Sequence, residues 1–204
     1  MKKAICLGLL AMAVAVGWCQ TPKEEALQSL DSAKGLVSSD NYSKAMDEIQ
    51  YAITKINEIQ AERLGKFLPA ALADFTETDR NATGLGEIGA MFGSANSITA
   101  KAEFSKNEET NITVTLSVGG LLGQSGSLAA MGRMYGGSDP GSKTLRVQGY
   151  TGNLQYDAEN KQGTLTIQVG NKVSVTVEGS NIGAGTELSP WLDKVNLSDL
   201  EKSF

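Results

Sequence analysis

Four runs in the second half of the chain carry an apolar residue at every other position, and nothing else in the sequence constrains the fold as tightly. Ile98, Ala100, Ala102 and Phe104 form the first run, and Ile112, Val114, Leu116 and Val118 the second. Leu165, Ile167 and Val169 form the third, and Val173, Val175 and Val177 the fourth, with Thr, Lys, Glu, Gln, Ser or Asn between. A period of two belongs to a strand with one dry face and one wet face. Strands of that kind make a one-sided antiparallel sheet, whose dry face something else must cover. The expected fold is therefore α+β: an antiparallel sheet of about five to six strands covered on one face by helices, with a helical hairpin at the N-terminus.

Matching the apolar faces also fixes registers, because a slip of one residue would turn a whole row to water. Phe104 opposite Ile112, Ala102 opposite Val114 and Ala100 opposite Leu116 keep the first two strands aligned around a turn at 105–111. A two-residue Gly170-Asn171 turn would set Ile167 against Ser174, so a three-residue loop, Gly170-Asn171-Lys172, or an equivalent bulge is expected, with Val169 against Val173. Leu154 and Tyr156 can meet Ile167 and Leu165, and Leu145 and Val147 imply one more strand before a bend at Gly149-Tyr150-Thr151-Gly152.

The sheet's cover must come from helices, and the chain offers them at both ends. Thr21, Pro22 and Glu24 spell a capping box with proline at the first helical position. Leu27, Leu30, Ala33 and Val37 follow at helical spacing, flanked by Ala26 and Leu36. Asp40 is a suitable cap for a second helix, in which Tyr42, Ala45, Met46, Ile49, Ala52, Ile53, Ile56 and Leu64 share a face until about Gly65. Two such helices pack as a hairpin. The stretch from Leu36 to Ile53, with Asp40-Asn41-Tyr42-Ser43-Lys44-Ala45 and then Ala52-Ile53, resembles the turn and second half of a tetratricopeptide-type pair. That resemblance implies a docking groove for another exported protein, but one hairpin without a second copy is not a peptide-binding array. The plain alternative is a hairpin that docks on the sheet or on a partner.

Between hairpin and sheet the pattern loosens. Residues 67–97 form a connector with Gly84, Gly86, Gly89 and Gly93, either a loop or an irregular strand lining the sheet edge. The chain thus divides into 1–19, 21–66, 67–97 and 98–204, the last being the sheet domain with its C-terminal helix.

Residues 1–19 read as a secretory signal. Lys2 and Lys3 precede an uncharged apolar run from Ala4 to Gly17, too short to cross a bilayer comfortably, and Ala13-Val14-Ala15 or Ala15-Val16-Gly17 supplies the small residues a signal peptidase requires. Cys19 is the candidate lipid anchor of a bacterial lipoprotein; Trp18 just ahead of it is the opposite of the small residue a lipobox has, which weighs toward simple release. The expected location is periplasmic or secreted. Cys6 leaves with the signal, so no internal disulfide can form and the core alone must hold the fold. Loss of Lys2 and Lys3 lowers the basic count from 18 to 16 against 23 acidic residues, a net charge of −7. No stretch concentrates Lys and Arg, which argues against nucleic acid and anionic lipid as partners; contact with a membrane is expected only through a lipid on Cys19.

Chemistry is constrained by what the chain lacks. The glycine-rich stretch around Gly123-Gln124-Ser125-Gly126-Ser127 approaches a nucleophile elbow, but its fifth residue is Ser instead of Gly, and it has no lysine where a phosphate loop needs one. With no histidine anywhere, no imidazole can take a proton from Ser125. Zinc and copper lose their usual ligands for the same reason. Calcium could use Asp157-Ala158-Glu159-Asn160 with Gly163, but Lys161 falls where a further oxygen ligand belongs, so a hairpin turn is the better reading. No catalytic, cofactor-binding or metal-binding residue is assigned, and no cofactor is expected.

Toward the C-terminus, Ser189-Pro190-Trp191-Leu192-Asp193-Lys194-Val195 reads as a short helix with a serine cap, and Leu188, Trp191, Leu192, Val195 and Leu200 can lie over the sheet, with Trp191 as a lid. The order Leu145-Arg146-Val147-Gln148-Gly149-Tyr150, then Val173-Ser174-Val175-Thr176-Val177-Glu178-Gly179, a helix, and Val195-Asn196-Leu197-Ser198-Asp199-Leu200 resembles the C-terminal half of a family of uncharacterised exported bacterial proteins. The layout is more distantly similar to the PsbP/Mog1 sandwich, which implies a sheet flanked by helices and no activity for particular residues. The expected function is a non-catalytic envelope module that binds or assembles with an envelope protein. The alternative is a carrier of a small apolar ligand between sheet and helices, and a hydrolase comes third.

Overall fold

The structure, a computed structural model, describes residues 20–84, 97–119 and 142–204. Among these, α1 (Pro22–Ser38) and α2 (Tyr42–Gly65) form the hairpin, and the strands are β1 (Thr76–Thr83), β2 (Ile98–Lys106), β3 (Thr110–Val118), β4 (Ser142–Val147), β5 (Tyr150–Asp157), β6 (Gln162–Val169) and β7 (Val173–Ser180). A single 3-10 turn, Gly185–Leu188, leads into α3 (Ser189–Asp193) and α4 (Leu197–Ser203). The strands make one antiparallel sheet in the order β1-β2-β3-β7-β6-β5-β4.

The fold is α+β as the alternation requires, but the sheet has seven strands, not five or six. The added one is β1. Its TETDRNAT sequence is exposed along nearly its whole length, so it carries no alternating signature, and a register shift between Glu77 and Asp79 breaks its pairing with β2. It is an irregular edge strand, one of the two readings open to the 67–97 connector.

Face matching holds in the centre of the sheet. Phe104 pairs with Ile112, Ala102 with Val114 and Ala100 with Leu116. Val169 pairs with Val173 and Ile167 with Val175, leaving Gly170-Asn171-Lys172 as the loop; Gly170 takes a φ of 59°. At β5 the expected register is two residues off: Leu154 pairs with Leu165, Tyr156 with Gly163 and Gly152 with Ile167. A two-residue shift keeps every side chain on its face, so the periodicity alone cannot detect it. The bend after β4 lies at Gln148 and Gly149, both with positive φ, while Tyr150, Thr151 and Gly152 already belong to β5.

The dry face is closed by the C-terminal segment and the end of α2. Ile182, Leu188, Trp191, Leu192, Val195, Leu197 and Leu200 are buried over it together with Ala61, Leu64 and Leu68. The indole of Trp191 lies 4.4 Å from the Phe104 ring and 5.1 Å from the Phe75 ring, centroid to centroid. Two glycines make room for the cover. Gly163 and Gly179 face each other on β6 and β7, and a Cβ on Gly179 would stand 2.8 Å from Leu188 Cδ2 and 3.0 Å from Ile182 Cγ2. Polar ties complete the closure. Gln148 Nε2 donates to the carbonyls of Leu192 and Val195 at 3.1 and 2.8 Å, and its Oε1 accepts from Leu197 N at 3.3 Å. One turn side chain thus serves the end of α3 and the start of α4. Asn196, not Ser189, is the cap with a side-chain bond here: its Oδ1 accepts from Asp199 N at 3.1 Å, whereas α3 has no side-chain cap.

Candidate functional site: the two flanks of the helical hairpin

The hairpin begins as its sequence requires. Thr21 Oγ1 accepts from Glu24 N at 3.3 Å, and the Glu24 carboxylate accepts from Thr21 N at 2.9 Å. The bond from the Thr21 backbone first, and that with the Thr21 side chain second, hold the Glu24 carboxyl below the usual range. The second cap differs from expectation. Asn41 is the residue before α2 and makes no side-chain cap bond, while Asp40 adopts a φ of 57° and accepts from Tyr42 Oη at 2.7 Å.

The seam between α1 and α2 is made of small residues. Ala26, Ser29 and Ala33 of α1 and Ala45 and Ala52 of α2 are the buried positions there. Small side chains let two helices approach closely, and bulky neighbours are then displaced to the flanks. Leu27, Leu30 and Val37 are accordingly exposed, as are Tyr42, Met46 and Ile56, although all six belong to the stripes that the spacing assigns to the buried faces. The signal that separates seam from stripe is the repeat of alanine at intervals of seven, 26 to 33 and 45 to 52.

Counting about 100° per residue sorts the remaining side chains onto two flanks. On one lies an open polar groove of about 440 Å³ lined by Gln20, Glu25, Gln28, Ser29, Ser32, Asp47, Glu48 and Tyr51. At its edge Lys55 Nζ meets Glu25 at 2.9 Å and Glu58 at 3.1 Å, and Tyr51 Oη donates to Glu25 at 2.9 Å. The bonds from Lys55 first, and from Tyr51 second, hold the Glu25 carboxyl below its ordinary range, and the two carboxylates push the Lys55 ammonium well above its own. The Lys55 ammonium is therefore engaged by both carboxylates.

The opposite flank is apolar. Leu27, Leu30 and Val37 form a ridge along α1, and Tyr42, Met46 and Ile56 with the half-buried Ile49 and Ile53 form a second along α2. Exposure reaches 54% for Leu27 and 64% for Met46. All the large apolar residues exposed among the described residues belong to these two helices. A cluster of exposed large apolar side chains on one pair of helices marks an interaction surface more often than scattered single residues do.

The other sequence candidates fall elsewhere. Cys19 and the Gly123 to Ser127 stretch with Ser125 lie outside the described residues. Asp157 spends its oxygens within its own turn, accepting from Glu159 N, Asn160 N and Asn160 Nδ2 at 2.9, 3.1 and 2.7 Å. Trp191 is enclosed in the core. Among the described residues no group of three or more Cys, Asp or Glu side chains is placed to hold a metal ion, and no helix is long and apolar enough to cross a membrane. The chain matches no family model, no curated protein and no solved structure.

Proposed function

We propose that the protein is an exported, non-catalytic module of the cell envelope that works by binding another envelope protein through the apolar flank of its helical hairpin. The observation that carries this reading is the flank itself. The sheet's dry face is completed by the C-terminal segment and the end of α2, yet Leu27, Leu30, Val37, Tyr42 and Met46 stay in water. Apolar residues left outside a finished core cost solubility and are offset by use. Export is supported by the signal-like leader, whose small-residue cleavage sites at 13–15 and 15–17 lie ahead of Cys19. The carrier alternative requires space under the sheet, where Phe104, Trp191, Leu188 and Leu192 are packed together and fully buried.

The test is a paired substitution. Leu30→Asp with Met46→Asp alters two exposed side chains, so the melting temperature is expected to stay within a few degrees of the parent. Co-purification of a discrete envelope protein is expected from the parent and not from the variant. Equal recovery by both would refute the reading.

A further inference from the structure

The chemistry of the partner can be read from what borders the apolar flank. Moving round α1 from the alanine seam, the first side chains met are Val37 and Leu30, then Lys23 and Lys34, then Leu27, with Asp31 further round. Lys23 and Lys34 are both exposed, and neither has an ion-pair partner among the described residues, whereas Lys55 on the opposite flank has two. On the α2 side the flank is bordered by Ser43 and Gln50, with Asp40 bonded to Tyr42 at one end and Arg63, seven residues beyond Ile56, over the Phe204 ring at the other. Two parallel ridges, Leu27 with Leu30 and Val37, and Met46 with Ile49, Ile53 and Ile56, run on either side of a floor of alanines. Ridges at intervals of three, four and seven are the surface into which a third helix packs.

We infer that this flank takes an amphipathic helix of the partner whose apolar stripe is edged on one side by carboxylates, which lie along Lys23 and Lys34. This rests on the protein-binding reading above and adds to it the partner's chemistry. At 17 residues α1 is about 25 Å long, enough for four to five turns of such a helix. Among the described residues the chain itself supplies no suitable occupant. The short helices α3 and α4 are engaged with the sheet through Leu192, Leu197 and Leu200, and none of the stretches 1–19, 85–96 and 120–141 has more than one acidic residue. A second copy set face to face would bring the two lysine edges to a surface whose nearby acids are Asp31, Glu24 and Asp40, of which Glu24 is held in the Thr21 capping box and Asp40 by the Tyr42 hydroxyl.

The experiment uses the whole exported chain and two labelled 18-residue synthetic helices with the same leucine stripe, one edged with glutamate and one with lysine, read by fluorescence anisotropy. The glutamate peptide is expected to bind about tenfold more tightly at low salt, and the preference to shrink as salt screens the exposed charges. Lys23→Glu with Lys34→Glu is expected to reverse the preference, and Leu30→Asp with Met46→Asp to remove binding of both peptides. Equal affinities, indifference to charge reversal, or no binding to either peptide overturns the inference. Two parallel measurements identify what would replace it: sedimentation onto phosphatidylglycerol vesicles lost on charge reversal indicates a membrane surface, and a dimer in analytical ultracentrifugation lost with Leu30→Asp indicates a second copy. If charge reversal leaves co-purification of the envelope protein unchanged while Leu30→Asp with Met46→Asp abolishes it, the protein-binding reading stands and the acidic edge is refuted.

Discussion

Gln148 shows how a single side chain joins distant parts of this chain. It sits with positive φ in the turn between β4 and β5 and serves two carbonyls and one amide of the segment 192–197. Replacing it with Leu leaves those backbone groups without their partner, and the expected cost is about 1–3 kcal/mol in urea unfolding. Trp191 is the other extreme, held by packing alone; Trp191→Ala should cost about 3–5 kcal/mol. Glycines separate in the same way. Gly35 is exposed in α1, and a Cβ added there would meet nothing within 4 Å, so Gly35→Ala is expected to gain about 0.5–1 kcal/mol. Gly84→Ala should lose about 1–3 kcal/mol, because a Cβ there would lie 2.6 Å from the Asn57 carbonyl carbon. Of these four residues, Trp191 as a lid is legible in the sequence, since an aromatic in an amphipathic terminal helix has few other places to go. Gln148 is not, because nothing local marks a glutamine whose partners lie more than forty positions away.

At the scale of elements, strands with one buried face announce themselves and strands without one do not. β2, β3, β6 and β7 alternate buried and half-exposed residues along most of their length, and their periodicity is readable down to the register. β1 stands at the edge of the sheet with almost all its side chains in water, so its pattern holds no trace of pairing. The helices teach a different lesson: period shows that two faces exist, not which one is buried. Leucine and isoleucine outnumber alanine on the stripe, yet alanine makes the seam. Ala33→Leu is therefore expected to be worse tolerated than Met46→Ser, at about 1–3 kcal/mol against less than about 0.5, measured by chemical denaturation.

The polar flank of the hairpin also has a pH response with a definite sign. The Glu25 carboxyl is held below its unfolded value by Lys55 and Tyr51, so its contribution is present above the ordinary glutamate range and lost as pH falls through the folded value. Lys55 is shifted upward; its contribution is complete below its ordinary value and disappears only as strongly alkaline pH is passed. Melting of the parent and of Glu25→Gln should differ at pH 7 and converge at acid pH. A gap that persists at acid pH would mean that the Lys55 bond is not its source.

The whole molecule combines a closed half and an open half. One sheet is sealed by the C-terminal segment, and the hairpin, attached through the end of α2, offers its bulky side chains to the outside. The apolar period alone does not distinguish these halves, because an exposed stripe and one destined for the core use the same residues. The most direct test is a photo-crosslinking amino acid placed at Met46 in living cells, compared with one at Thr115 on the sheet's wet face. The account predicts a single discrete adduct from position 46, removed by Leu30→Asp, and none from position 115. Adducts from position 115 alone, or from neither position, would contradict it.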